Sequence, residues 1–92
     1  MDDVTARIVA ETKSGWSDLR HCRAAKNVTA TDKALLARID GIALGFTSNA
    51  LTYDPATRGL GKRAQRRLVE LLFAGHVRVF QDGMRGYVLR AA

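Results

Sequence analysis

The sequence predicts a single, mostly helical α+β domain that ends in a β-hairpin, and three observations carry that prediction. Residues 62–74 repeat the apolar side chains Ala64, Leu68, Leu71 and Leu72 at i, i+4, i+7 and i+8, the spacing of one face of an α-helix. At Gly75, a residue suited to a left-handed helix end, the period changes from 3.6 to 2. His76-Val77-Arg78-Val79-Phe80 and Gly86-Tyr87-Val88-Leu89-Arg90 are then β-rich runs on either side of Asp82-Gly83, a dipeptide that fits a two-residue primed turn.

The elements follow in chain order. Asp2 or Asp3 caps a first helix running to about Lys13, with Val4 and Ile8 inward, Ala6 and Ala10 favouring helix by propensity, and Ser14-Gly15 as its stop. Residues 17–26 read as a second short helix, with Trp16, Leu19 and Cys22 at spacings of three and Asn27 as its end. Isolated helices of this length are marginal in water, so this arm has to dock, through Trp16, on the rest of the chain or on a second copy of it as a homodimer.

Thr29 and Asp32 form a capping box, with Asp in place of the commoner Glu, that opens a third helix. Its apolar residues Leu35, Ile39, Ile42 and Phe46, widened by Leu36 and Ala43, carry it to about Gly45. Gly41 inside this stretch costs about 1 kcal/mol relative to alanine, which calls for close packing or a bend there. Asp54-Pro55 caps and starts a short helix 55–58 with Gly59 in the following turn; residues 48–53 are the other place for it. The expected core sets Leu35, Ile39 and Ile42 against Leu68, Leu71 and Leu72, with Val77, Val79, Tyr87 and Leu89 closing the open side. The whole chain is one domain, an N-terminal helical arm 1–28 on a core 29–92.

Ninety-two residues with a hydrophobic fraction of 47% can build one small core. The net charge of +6 is distributed unevenly: residues 1–46 hold seven Lys/Arg and six Asp/Glu, residues 47–92 eight and three. The basic character therefore belongs to the helix and hairpin of the second half. On the helix 62–74, Lys62, Arg63, Arg66 and Arg67 share the face opposite the leucines. Like charges four apart, Lys62 with Arg66 and Arg63 with Arg67, repel, and an anionic partner would relieve that repulsion. A one-sided basic patch in a small domain is the electrostatic footprint of a polyanion binder. It is also compatible with an ordinary solvated face.

Other classes find little support. One cysteine excludes an intramolecular disulfide, no apolar run approaches the about 20 residues a bilayer span needs, and the acidic start lacks a signal-peptide pattern, so a cytoplasmic, membrane-free protein is expected. His21 beside Cys22 points about 100° away on a helix and cannot act as its base, which leaves Cys22 as a small buried hydrophobe. Two histidines and one cysteine do not make a zinc set. Gly59-Leu60-Gly61-Lys62 lacks the phosphate-loop spacing and a preceding strand. No enzyme, cofactor or metal is expected.

The run RRLVELLFAGHVRVFQDGMRGYVLR resembles the second half of a winged helix-turn-helix DNA-binding domain, in which a recognition helix ends in a leucine-rich turn and AG and a hairpin closes on a GYVL-like strand. The resemblance covers about a third of the chain closely and two thirds in outline. It departs upstream, where residues 48–61 hold Pro55 and two glycines and leave little room for a supporting helix of about two turns. The resemblance implies a winged helix-turn-helix-like fold and a bacterial or phage regulator of transcription or replication. Lys62, Arg63, Arg66 and Arg67 would then enter or flank the major groove of duplex DNA, and Arg85 at the hairpin tip would hold phosphates together with Arg78. Gln65 and the arginines are the candidate base readers. Arg78 and Arg90 also read as edge charges that resist strand pairing. The alternative is a protein-binding adaptor or inhibitor of phage type, anti-CRISPR-like, whose basic face blocks a larger nucleic-acid-handling complex. Trp16 and Phe73, which lies off the main apolar face of its helix, are the residues available for such a partner.

Overall fold

A computed structural model describes residues 2–46 and 50–92. The element order is α1 (Asp3–Ser14), a single 3₁₀ turn (Asp18–His21), α2 (Ala30–Ile39), α3 (Ala50–Tyr53), α4 (Pro55–Arg58), α5 (Lys62–Phe73), β1 (Val77–Asp82) and β2 (Gly86–Ala91). This is a mostly helical α+β domain with a C-terminal antiparallel hairpin. Ile8, Ile39, Leu44, Leu51, Leu68 and Leu71 are among the side chains that share one core with Leu72, Val77, Val79 and Leu89. Of the residues expected there, Leu35, Ile42 and Tyr87 are only half-buried; Leu44 and Val69, not anticipated, are fully buried.

Local chemistry accounts for the helix ends. Asp2 caps α1 by accepting the Thr5 N–H at 2.9 Å. Thr29 and Asp32 form the reciprocal capping box of α2. Asp54 caps α4 ahead of Pro55, accepting the Ala56 N–H. Gly75, at φ +87°, lets the chain leave α5 and enter β1.

The hairpin is held on both sides. β1 pairs with β2 in the register Val79↔Leu89, and the inward residues Val77, Val79 and Leu89 pack over α5. The outer edge of β1 is covered by α1: the Val79 N–H donates to the buried Thr5 hydroxyl at 3.0 Å, which itself donates to the Asp2 carboxylate. The other edge, that of β2, is taken by residues 41–45. Gly41 and Leu44 donate their N–H groups to the carbonyls of Leu89 and Tyr87, and Leu89 and Tyr87 donate to those of Ile42 and Gly45.

That last pairing corrects the third predicted helix, which ends at Ile39 instead of near Gly45. Asp40 leaves the helix in extended conformation, its carboxylate accepting the Ala91 N–H at 3.0 Å, and Gly41 at φ +83° turns the chain along the sheet. Ile42 and Phe46, whose spacing fitted a helical stripe, therefore lie in or after an extended segment, and Phe46 is exposed. The second predicted helix, 17–26, is reduced to the 3₁₀ turn. Ser17 caps it through the Leu19 N–H, and Cys22 is already extended. Beyond it the Ala25 N–H donates to the Glu70 carbonyl at 2.9 Å, tying this stretch to α5. Both sites weighed for the supporting helix are used: α3 and α4 are single turns in tandem, although Ser48 and Asn49 of the 48–53 alternative lie outside the described residues.

The hairpin turn also differs in length. Asp82 pairs with Gly86, so the loop is the three residues Gly83-Met84-Arg85 and not an Asp-Gly primed turn. Gly86 has φ +89° and faces Gly45 so closely that a Cβ there would collide with the Gly45 backbone. Gly83 has open space around it and no positive φ. Gly86→Ala should therefore lose about 3 kcal/mol or more from backbone strain and overpacking, while Gly83→Ala should stay within about 0.5 kcal/mol of the parent; urea denaturation of the two variants checks the contrast.

Candidate nucleic-acid interface

α5 carries the residues of interest because its buried side, Leu68, Val69, Leu71 and Leu72, fixes how it lies on the core. Lys62, Arg63 and Arg66 are exposed and make no ion pair among the described residues. Two neighbours expected to join them do not. Arg67 grips the Asp32 carboxylate with two hydrogen bonds of 2.7 Å, and reaches Glu70 at 3.0 Å and the Asn27 carbonyl at 3.2 Å. Gln65 donates its amide to the carbonyls of Leu51 at 2.7 Å and Thr52 at 3.2 Å, pinning α3 to α5. Arg67 thus leaves the free basic face, and the donor half of the Gln65 amide is unavailable for base reading.

Asp32 is the group that captures Arg67. Its side chain is 4% exposed, and beyond the guanidinium it accepts the Thr29 N–H at 2.9 Å. The Arg67 hydrogen bonds first, then the Thr29 N–H, hold its carboxyl far below the usual carboxylate range, and Asp32 in turn raises the already high affinity of Arg67 for its proton.

The remaining predicted cations lie on the hairpin. Arg85 folds back onto Asp82 at 3.2 Å, and the Asp82 carboxyl is lowered mainly by the Met84 N–H and then by Arg85. Arg78 projects from the hairpin face opposite the one packed over α5. It pairs with Asp2 at 3.2 Å, and its guanidinium lies 5.0 Å from the Phe80 ring centre. The Thr5 N–H is the main reason the Asp2 pKa is lowered to about 2. Arg90, directly across from Arg78, is countered by Asp40 at 3.7 Å. Arg78, Arg85 and Arg90 border one shallow depression over Phe80 and Val88; Lys62, Arg63 and Arg66 border a different groove between α2 and α5. The seven predicted residues are thus one free set on α5, one paired set on the hairpin, and two that hold the fold.

Arg38 on α2, outside the predicted set, faces the groove that Lys62, Arg63 and Arg66 border but is no part of the α5 basic face. Its signal in the sequence is its position three residues after Leu35, which also lines that groove. Trp16 does not anchor the arm to the core: its side chain is 90% exposed, and Leu19 and Cys22 do the packing. Phe73 meets α1, with the Lys13 ammonium 5.0 Å from its ring centre. The Cys22 thiol is pushed up by burial, against nucleophilic use. Among the described residues no group of three or more His, Cys, Asp and Glu could hold a metal ion, and no helix is long and apolar enough to cross a membrane. Compared with protein-family models, with characterised proteins and with solved structures, the chain finds no match.

Arg67→Ala leaves Asp32 charged, sequestered and half-partnered, and should lower the melting temperature by about 5–10 °C at pH 7. Because the folded pKa of Asp32 is depressed, its contribution is complete above the ordinary carboxylate value of about 4 and is lost as pH falls through the lowered value. The gap between parent and variant should therefore be constant from pH 7 to 5 and narrow below about pH 4; thermal melts across that range read it directly.

Proposed function

We propose that this chain is a small duplex-DNA-binding protein of winged-helix type, acting in regulation of transcription or replication, with α5 as the recognition helix and the β1–β2 hairpin as the wing. The observation that carries the reading is the trio Lys62, Arg63 and Arg66, exposed on one helix and without an acidic partner among the described residues. Three such cations on two successive turns repel one another, and a phosphate backbone relieves that repulsion by releasing its own counterions. The order α2, extended residues 41–45, α3 and α4, α5, hairpin further supports it, since the 41–45 segment roots the hairpin rigidly beside α5. Lys62, Arg63 and Arg66 are the phosphate contacts of α5, and Arg85 is the one at the hairpin tip once it releases Asp82.

A second reading, a protein-binding inhibitor of a nucleic-acid-handling complex, is favoured by the exposure of Trp16 at 90% and Met84 at 93%. Large, nearly naked apolar side chains of this kind are enriched where proteins meet.

Salt dependence separates the two. Four phosphate contacts, from Lys62, Arg63, Arg66 and Arg85, give a slope of about −3.6 in log K against log[salt], or about 150-fold weaker binding at 200 mM than at 50 mM salt. Arg63→Ala combined with Arg66→Ala should halve the slope to about −1.8 and weaken binding by about tenfold or more at 50 mM, without the stability loss expected of Arg67→Ala. The measurement is a fluorescence titration of parent and double variant on random and genomic duplexes. No binding at 50 mM salt, or parent-like binding by the double variant, would transfer the basic face to a protein partner.

A further inference from the structure

The free cations of α5 border a groove whose chemistry a DNA backbone does not use. The space between α2 and α5 has a volume of about 790 Å³ and a mainly carbon lining to which Ala34, Leu35, Leu60 and Ala64 contribute. That volume lies within the range of about 300–1,000 Å³ typical of small-molecule sites, which combine an apolar body with a few placed polar groups. The groove is polar in a directed way. At one end Asp32, Arg67 and Glu70 satisfy one another. Arg38, near the end of α2, and Lys62 and Arg63, at the start of α5, also line the groove, and none of the three is paired with an acid among the described residues. Five basic and two acidic side chains line the groove, a balance of +3, and both acids are held by Arg67.

We propose that this groove binds a small amphipathic anion, an aromatic or aliphatic carboxylate, and that its occupation takes Lys62, Arg63 and Arg66 away from DNA. The apolar body lies along Leu35, Leu60 and Ala64, and the carboxylate meets Arg38, Lys62 and Arg63, where charge-assisted hydrogen bonds are the strong ones. Phosphodiester strands have no apolar body for the floor, and a neutral apolar molecule leaves the rim cations unused. The second half rests on the DNA-binding reading; the first does not.

The probes are 2-naphthoate and its neutral counterpart 2-naphthamide. Titrated into the ¹⁵N-labelled full chain, naphthoate should shift the amides of residues 34–38 and 60–66 saturably, and naphthamide should bind about tenfold more weakly. Arg38→Gln should weaken naphthoate about tenfold while leaving DNA affinity within about twofold. Saturating naphthoate should lower the affinity for duplex DNA about fivefold, and DNA should lower that for naphthoate by the same factor. Absence of saturable shifts in those segments, or equal binding of acid and amide, overturns the site. Binding of both ligands with neither affinity changed overturns the competition. A chain that binds no DNA at all sinks the DNA reading and the competition with it, and the carboxylate site then stands or falls on the shifts and on Arg38→Gln.

Discussion

The ion pair of Asp32 with Arg67 is the contact on which the arrangement of α2 and α5 depends. Asp32 serves two partners at once: it accepts the Thr29 N–H to close the capping box at the start of α2, and it accepts two hydrogen bonds from the Arg67 guanidinium, which itself reaches Glu70 and the Asn27 carbonyl. A carboxylate shut away from water is expensive unless it is fully hydrogen-bonded, and here it is. The geometry is therefore fixed by what would be lost on separation. If α2 slid by one residue along α5, the Thr29–Asp32 cap would travel with it and the two Arg67 hydrogen bonds would be lost, leaving the carboxylate sequestered without its cation. The groove beside this contact exists because the two helices are held in one register.

A second constraint runs through backbone alone. Residues 41–45 and β2 exchange four hydrogen bonds, and where Gly86 faces Gly45 it tolerates no side chain on either the conformational or the steric count. With α1 covering the far edge of β1 through Thr5, neither edge of the hairpin is left as an open template for another strand. A two-stranded hairpin is marginal by itself. Here it is clamped between an N-terminal helix and an internal segment, so the ends of the chain and its middle are tied into one unit.

What the sequence made legible were elements whose signal is local. The 62–73 helix, its exit at Gly75, the caps at Asp2, Thr29 and Asp54 and the two β runs are each written in neighbouring residues, and each is present. What it concealed was non-local. Ile42, Ala43 and Phe46 fit a helical period as well as an extended one, and what decides between them is the backbone pairing of residues 41–45 with β2, joined by the Asp40 carboxylate meeting the Ala91 N–H fifty-one positions away. The site behaved the same way. Lys62 and Arg63 were readable as free cations because no acid lies within a helical turn of them, and Arg66 stays free because Glu70, four residues on, goes to Arg67, which looked identical until the fold brought Asp32 to it. Gln65 was lost to the carbonyls of α3, and Arg38 was missed because its one sign, standing three residues after Leu35, gains meaning only when α5 closes the groove beside it. Trp16 was misjudged by the opposite route: its spacing with Leu19 and Cys22 assumed a helix that the chain does not form.

The energetics of α5 point the same way as its surface. A helix N-terminus carries a partial positive charge and favours acidic residues and a side-chain cap. α5 begins with Gly61, which supplies no side-chain cap, followed by Lys62 and Arg63, with no acid in its first turn. Every other α-helix here whose cap is described has an acidic or hydroxyl residue at that position. Lys62 and Arg63 thus work against the helix dipole and against Arg66 one turn on, and the leucine face must offset both. The relief in the helix, Asp32 and Glu70 on Arg67, comes a turn too late to help the first residues. Such a concentration of unfavourable terms at the exposed start of an otherwise well-packed helix is what an anion-binding end requires: the groups are held apart from acids in the free protein so that their attraction remains to be satisfied by a ligand. On the proposed reading, DNA phosphates and a bound carboxylate answer the same deficit, and for that reason they compete.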